Sequence, residues 1–293
     1  MLAGIPGLGH GAFAALTGPG SWVALGASGL VVGVLVGLTG AGGSSVLTPL
    51  LVLVFGLPAI SAVGTDLAAS LVMKPVGGLV HMHHRTVRMD IVRWLVVGSV
   101  PGAVLGVVIL DFAGSSANTV LLPLLGAALL ATAIAMLARP RLRARAARRS
   151  GESRVGREWG ADGGGTGSIN QKDGLRRVPT LLVGLFGGVL VGLTSVGSGS
   201  LMVVGMTMLY PGLTMAELIG TDLVAAVPMV GAAALGHLVS GDVHFGVAGA
   251  LLVGAIPGTF LGARLSTRSN GRLARGALVA VLLATGIKLI GFV

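Results

Sequence analysis

Eight apolar stretches divide the chain: 22–56, 60–82, 91–111, 119–138, 178–210, 219–239, 245–264 and 275–292. A helix needs about 20 apolar residues to cross a bilayer. In lipid the backbone must satisfy its own N–H and C=O groups, so continuous apolar runs of this length are restricted to helices. Six stretches match one helix each. The other two, 22–56 and 178–210, run to 35 and 33 residues, and each is interrupted near its middle, by Thr39-Gly-Ala-Gly-Gly-Ser-Ser45 and Thr194-Ser-Val-Gly-Ser-Gly-Ser200. We expect each to be a broken-helix hairpin, either two short helices or a re-entrant pair.

Composition agrees with a membrane setting. Charged residues make up 10% of the chain against 53% hydrophobic, with a mean hydropathy of +0.93. A soluble domain carries about 25% charged residues. Glycine, 51 of 293, sits inside the apolar runs, where small residues let membrane helices approach closely. The absence of cysteine excludes disulfides, thiolate metal sites and thiol catalysis. The N-terminus lacks the basic n-region of a removable signal peptide. Eleven of the twenty Lys/Arg fall in 139–177, so the net charge of +10 describes mainly one loop and does not imply a nucleic-acid surface.

The chain is also internally duplicated. VGLTGAGGSS (36–45) matches VGLTSVGSGS (191–200), GTDLAAS (64–70) matches GTDLVAA (220–226), His81 matches His237, and GSVPGAVLG (98–106) matches GAIPGTFLG (254–262). Four ordered matches at an offset of 155 or 156 residues mark a repeat architecture. Lys and Arg concentrate in 84–93, 139–177 and 264–275, which hold 18 of the 20. Placing these loops in the cytoplasm orients the segments. The loop after His81 then lies inside and its mate after His237 outside, so the halves are inverted and both termini are outside.

The expected fold is therefore an all-α polytopic membrane protein of two inverted repeats. Each would hold a broken-helix hairpin and three transmembrane helices, giving 8–10 membrane segments. The expected divisions are an N-terminal segment 1–21, a first repeat 22–138, a basic, Gly-rich cytoplasmic linker 139–177 with little packed structure, and a second repeat 178–293.

Interrupted helices in repeated halves point to a midplane transport site, because freed backbone groups survive in a membrane only against protein or water. Helix N-termini there favour an anion. The candidate binding residues are Thr39, Gly42, Gly43, Ser44 and Ser45 in the first break, Thr194, Ser195, Gly197, Ser198 and Gly199 in the second, and Thr65, Thr221 and Lys74; Ser200 adds a further hydroxyl. Lys74 is the one Lys or Arg deep in a spanning stretch, where a charge costs about 2.5–3.5 kcal/mol. It has two readings: contact with an anion, or snorkelling and pairing with Asp66. Asp66 and Asp222, in the twin GTDL motifs, read either as N-caps or structural partners, or as proton- or substrate-coupling groups. His81 and His237 read as interfacial polar residues or pH sensors. His81, His83 and His84 cluster without cysteine or carboxylate support, so no metal is expected. No P-loop context surrounds the glycines, and neither a cofactor nor an enzymatic constellation is evident.

The paired motifs GLTGAGGSSVLTPLL, AVGTDLAASLVMKPVGGLVH and GSVPGAVLG, with the echo GLTSVGSGS, GTDLVAA, GH and GAIPGTFLG, resemble the sulfite exporter TauE/SafE family. The resemblance spans the chain except its first 20 residues and the central loop. It implies a bacterial inner-membrane exporter of small sulfur-containing anions such as sulfite or an organosulfonate, for example sulfoacetate. The second half carries GSGS where the first keeps GAGG. The expected function is secondary transport by alternating access; the alternatives are a passive anion channel and a non-transporting membrane accessory subunit. Expected partners are the lipid bilayer, a small anionic substrate and a coupling ion such as a proton, with a homodimer left open and no nucleic acid.

Overall fold

The computed structural model describes residues 19–39, 44–149, 176–266 and 271–291. Every regular element among them is helical. In chain order they are α1 (Pro19–Thr39), α2 (Ser44–Leu53), α3 (Ala59–His83), α4 (Met89–Ala113), a 3-10 turn (Gly114–Ser116), α5 (Ala117–Arg149), α6 (Arg177–Thr194), α7 (Leu201–Leu209), α8 (Met215–Val239), α9 (Phe245–Ser266) and α10 (Gly271–Ile290). Five segments are long and apolar enough to cross a membrane: α4, α5 as far as Arg139, α6, α8, and α9 as far as Gly262. Large apolar side chains such as Phe112, Phe186 and Val253 stand on the exterior, as lipid contact requires.

Two features differ from the sequence expectation. The broken stretches are not pairs of short helices. Each joins a longer helix (α1, 21 residues; α6, 18) to a short one (α2, 10; α7, 9). At a rise of about 1.5 Å per residue, the short arms reach roughly 15 Å, half the hydrocarbon core. The second difference is α5, which runs 33 residues and carries the helix through Arg149, well into the expected linker. Arg, Ala and Leu, strong helix formers, make up Arg141–Arg149 and explain the continuation.

The dominant helix pairings join opposite halves: α1 lies along α9, α4 along α6, α3 along α8, and α5 along α10. Glycine makes the first two possible. On α4, Gly98, Gly102 and Gly106 each lie so close to α6 that an added Cβ would overlap the carbonyls of Leu181, Leu185 and Val189; reciprocally, Gly184, Gly188 and Gly192 face the carbonyls of Leu95, Ser99 and Ala103. The repeat mates do the same. Gly29 and Gly33 meet the carbonyls of Leu251 and Ala255, and Gly254 and Gly258 meet those of Gly26 and Leu30. The glycines recur every fourth residue and line one helix face, so two backbones come into direct contact.

The GTDL motifs lace the halves at a second level. Thr65 Oγ1 accepts from the His244 N–H ahead of α9, and Thr221 Oγ1 accepts from the Arg88 N–H ahead of α4, both at 3.1 Å. Arg88 and His244 are themselves repeat mates. Gly64 abuts His237 and Asp242, while Gly220 abuts His81 and Thr86. Each half therefore ties off the opening turn of a helix in the other.

Two predictions test this packing. Gly254→Ala, whose Cβ would strike α1, should lose roughly 1–3 kcal/mol, whereas Gly249→Ala on the same helix, where a Cβ meets nothing within 4 Å, should leave the detergent-solubilised thermal midpoint unchanged. Thr65→Val and Thr221→Val should each destabilise by roughly 0.5–1.5 kcal/mol through the lost hydrogen bond; equal midpoints for wild type and both variants would remove the lacing role.

Candidate functional site

The sequence of α3 brings an acid and a base to one helix face. Asp66 and Lys74 are eight residues apart, and Ser70 lies between them at the four-residue spacing that stacks side chains along a helix. Asp66 is fully buried, Lys74 is 6% exposed, and both point at the second break. Ser195 Oγ donates to Asp66 Oδ2 at 2.8 Å. Thr48 Oγ1, from α2, donates to the same oxygen at 2.5 Å, and Ser70 Oγ donates to Oδ1 at 3.4 Å. Three hydroxyls from three elements thus replace the water that Asp66 has lost. Lys74 Nζ donates to Ser198 Oγ at 2.7 Å and lies within electrostatic reach of both Asp66 and Asp222.

The second break is held open by its backbone geometry. Ser195 closes α6 with φ 58°, and Gly197 and Gly199 follow at φ 118° and 91°. Glycine adopts such angles without strain, but for serine they cost of order 1–3 kcal/mol. Its position is repaid by the Oγ contact to Asp66. Thr194 Oγ1 closes on the carbonyls of Leu190 and Val196, at 2.7 and 3.2 Å. Within the break, the Gly199 carbonyl accepts from Arg139 Nη2 at 2.6 Å, and the Gly199 backbone lies close to the Asp222 carboxylate. Two acids and two bases converge here, so the cluster is formally neutral.

Some buried polar atoms in the cluster and at the starts of α2 and α7 remain unsatisfied. Asp222 is 2% exposed, and its Oδ1 has no hydrogen-bond partner among the described residues. The buried hydroxyls of Ser45 and Ser200 are in the same condition. These serines are repeat mates, one in the first turn of α2 and one immediately ahead of α7. Buried orphan donors at two equivalent helix starts suit a ligand rich in acceptor oxygens. A separate cavity of about 390 Å³ lies between α3, α8 and α9, but apolar residues such as Leu71, Leu235 and Leu252 wall it and offer an anion nothing to bind.

The other sequence-derived candidates fall in several places. Thr39 ends α1 and Ser44 begins α2, while Gly42 and Gly43 lie outside the described residues. Thr65 and Thr221 are engaged with the backbone of the opposite half. Neither Asp66 nor Asp222 caps a helix, because α3 and α8 start two turns earlier; the cap of α8 is a Thr214–Glu217 capping box. His237 Nε2 is 3.0 Å from the Gly192 carbonyl, and its Nδ1 is 3.6 Å from Asp242. Burial pushes the Asp242 carboxyl above the ordinary carboxylate range, and the neighbouring His237 opposes this. His81 Nδ1 lies 2.9 Å from Thr86 Oγ1 in the equivalent turn. Among the described residues no three His, Cys, Asp or Glu side chains converge to hold a metal ion. Sequence reasoning missed Thr48, Ser70 and Arg139. Only Ser70 carried a local signal, its spacing from Asp66.

Comparison with known proteins places this geometry in a family. The sulfite exporter TauE/SafE model matches residues 25–289, which include both breaks and both GTDL motifs. The chain is 34% identical over 265 residues to the probable membrane transporter protein YjnA of Bacillus subtilis (strain 168), covering 89% of this chain and 97% of the relative. It is 25% identical over 239 residues to the probable membrane transporter protein YdhB of the same organism, covering 80% and 86%. No solved structure matches. The chain belongs to the TauE/SafE sulfite exporter family and is a multi-pass membrane transporter.

Proposed function

We propose that the chain is a secondary transporter of small sulfur-containing anions, sulfite or an organosulfonate, working by alternating access between two inverted repeats. The observation that carries this reading is Lys74, a buried cation held on Ser198 at the second helix break, the same break that leaves the Ser200 hydroxyl without a partner among the described residues. A sulfonate or sulfite is compact, anionic and rich in acceptor oxygens, which matches a cation flanked by serine hydroxyls and backbone N–H groups. The inversion is supported by the Lys/Arg distribution and by contacts that recur at the repeat offset with the halves exchanged. With the basic loops in the cytoplasm of the bacterial inner membrane, both termini lie outside. Net export is supported by the family description.

Thermal stability of the detergent-purified chain against sulfite, sulfate, sulfoacetate, taurine, acetate and thiosulfate tests this reading. A bound anion at about 100 times its Kd should stabilise the protein by about 2.7 kcal/mol. We expect a selective rise with sulfite or a sulfonate, weakened at least about tenfold in affinity by Lys74→Met, which keeps side-chain volume and removes the charge. No shift with any of these anions in folded protein would favour a non-transporting accessory role. An unchanged affinity in Lys74→Met would take Lys74 out of the site.

A further inference from the structure

The two GTDL carboxylates are repeat mates, yet their surroundings differ. Asp66 is enclosed by the hydroxyls of Thr48, Ser70 and Ser195. The equivalent positions around Asp222 are Val203, Ala226 and Gly40, which carry no hydroxyl. Asp222 instead lies close to the Gly199 backbone ahead of α7, stands within electrostatic reach of Lys74 and Arg139, and keeps Oδ1 without a partner among the described residues. These are the surroundings a substrate anion would seek: the backbone ahead of a helix start and two cations. Asp222 is therefore an internal anion competing for the same donors.

Resting on the anion-transport reading above, we propose that Asp222 is the proton-exchange group of this transporter. The substrate takes the donors at the second break when a proton from water converts the Asp222 carboxylate to a carboxylic acid, and it leaves when that proton leaves. One negative charge replaces another beside Lys74 and Arg139, so the buried cluster never carries an uncompensated charge. The neutral acid gains an O–H that can donate to the incoming anion. Asp66, whose carboxyl already accepts from three hydroxyls, serves as the structural partner of Lys74 and has no oxygen left without a donor. The charged groups within electrostatic reach of Asp222 are Lys74 from α3 and Arg139 from α5; α3 also carries Asp66 and, toward its C-terminal end, His83 and His81, which abuts Gly220, and α8 itself carries Glu217 and His237. Of the other helices packed on α8, α4 and α6 carry their ionisable residues only near their ends (Asp90, Arg93, Asp111, Arg177), and α7 carries none.

The test measures stabilisation of the full-length, detergent-purified chain by methanesulfonate, a strong-acid anion that does not titrate, between about pH 5 and about pH 8, where a proton-linked step in a carboxylate of shifted affinity is visible. The half-saturating concentration should rise by up to about tenfold per pH unit on the alkaline side. In weak buffer, binding to wild type should take up close to one proton per anion. Asp222→Asn, a neutral isostere, should bind at a pH-independent affinity no weaker than that of wild type at acid pH. Asp222→Glu, which keeps a titratable group should the amide fail to fold, should retain the slope with a displaced midpoint. Asp66→Asn should keep the wild-type slope. Anion binding without a pH slope in wild type would overturn the proton proposal and leave the transport reading intact. A slope surviving in Asp222→Asn would place the proton on another group, Lys74 foremost, and would also overturn it. Folded Asp222→Asn that binds no anion would make Asp222 a structural residue. If neither methanesulfonate nor any other anion stabilised wild type, the transport reading itself would fall.

Discussion

A helix cannot stop inside a membrane unless the peptide groups it frees find partners, because lipid offers none. This chain interrupts two helices, α1 after Thr39 and α6 after Thr194, and the polar chemistry described above gathers around the second interruption. Thr194 closes on neighbouring carbonyls and Arg139 on the Gly199 carbonyl, while the Asp222 carboxylate lies close to the Gly199 backbone. Each partner is polar or charged and must itself be compensated, and this draws Lys74, Ser198 and, through Ser195, Asp66 into one cluster. Two acids with two bases, linked by hydroxyls, can stay buried where any one alone would be prohibitive.

Such a cluster needs precise placement, and here the glycine seams matter. With α4 against α6 and α1 against α9 at backbone contact, the longer arms of the broken pairs are each clamped to a continuous helix of the opposite half. The breaks then occupy a defined depth. The Thr65 and Thr221 contacts fix the register of α3 and α8 against those same continuous helices. Packing through small residues suits a membrane, where lipid removes the hydrophobic drive for helix association and close van der Waals contact replaces it.

The sequence made much of this scaffold legible. Apolar run length located each spanning segment, and the glycine-rich interruptions located both breaks, because these depend on composition over short windows. The unequal arms were less accessible: nothing local separates a 10-residue α2 from a full crossing once the apolar run continues through it. The continuation of α5 through Arg149 was hidden for the opposite reason, since a basic run reads as loop when topology is argued from charge, although Arg and Ala are good helix formers. Within the site, Lys74 stood out as a lone cation in an apolar run. Thr48 did not, since a threonine among leucines signals nothing until α3 sets Asp66 beside it. Arg139 looked like the first residue of a topological marker, and its role depends on a tertiary contact with Gly199.

The duplication itself explains why the site cannot be read by symmetry. Structural duties are shared evenly: Thr65 with Thr221, Gly64 with Gly220, His81 with His237, one glycine seam with the other. Chemical duties are not. Lys74 corresponds to Val230, Thr48 to Val203, Ser70 to Ala226, and Ser195 to Gly40. Two identical halves would bring equal charges together where the halves meet, and like charges buried in a low dielectric repel strongly. Asp66 and Asp222 do share this region, and a single lysine, reached from one half alone, lies within range of both. The mate of that lysine had to be neutral for the charge to balance with Arg139 supplying the second cation. The asymmetry of the site thus follows from placing one charged cluster where residues of both halves meet, and it leaves one carboxylate saturated with hydroxyls and the other with an oxygen to spare.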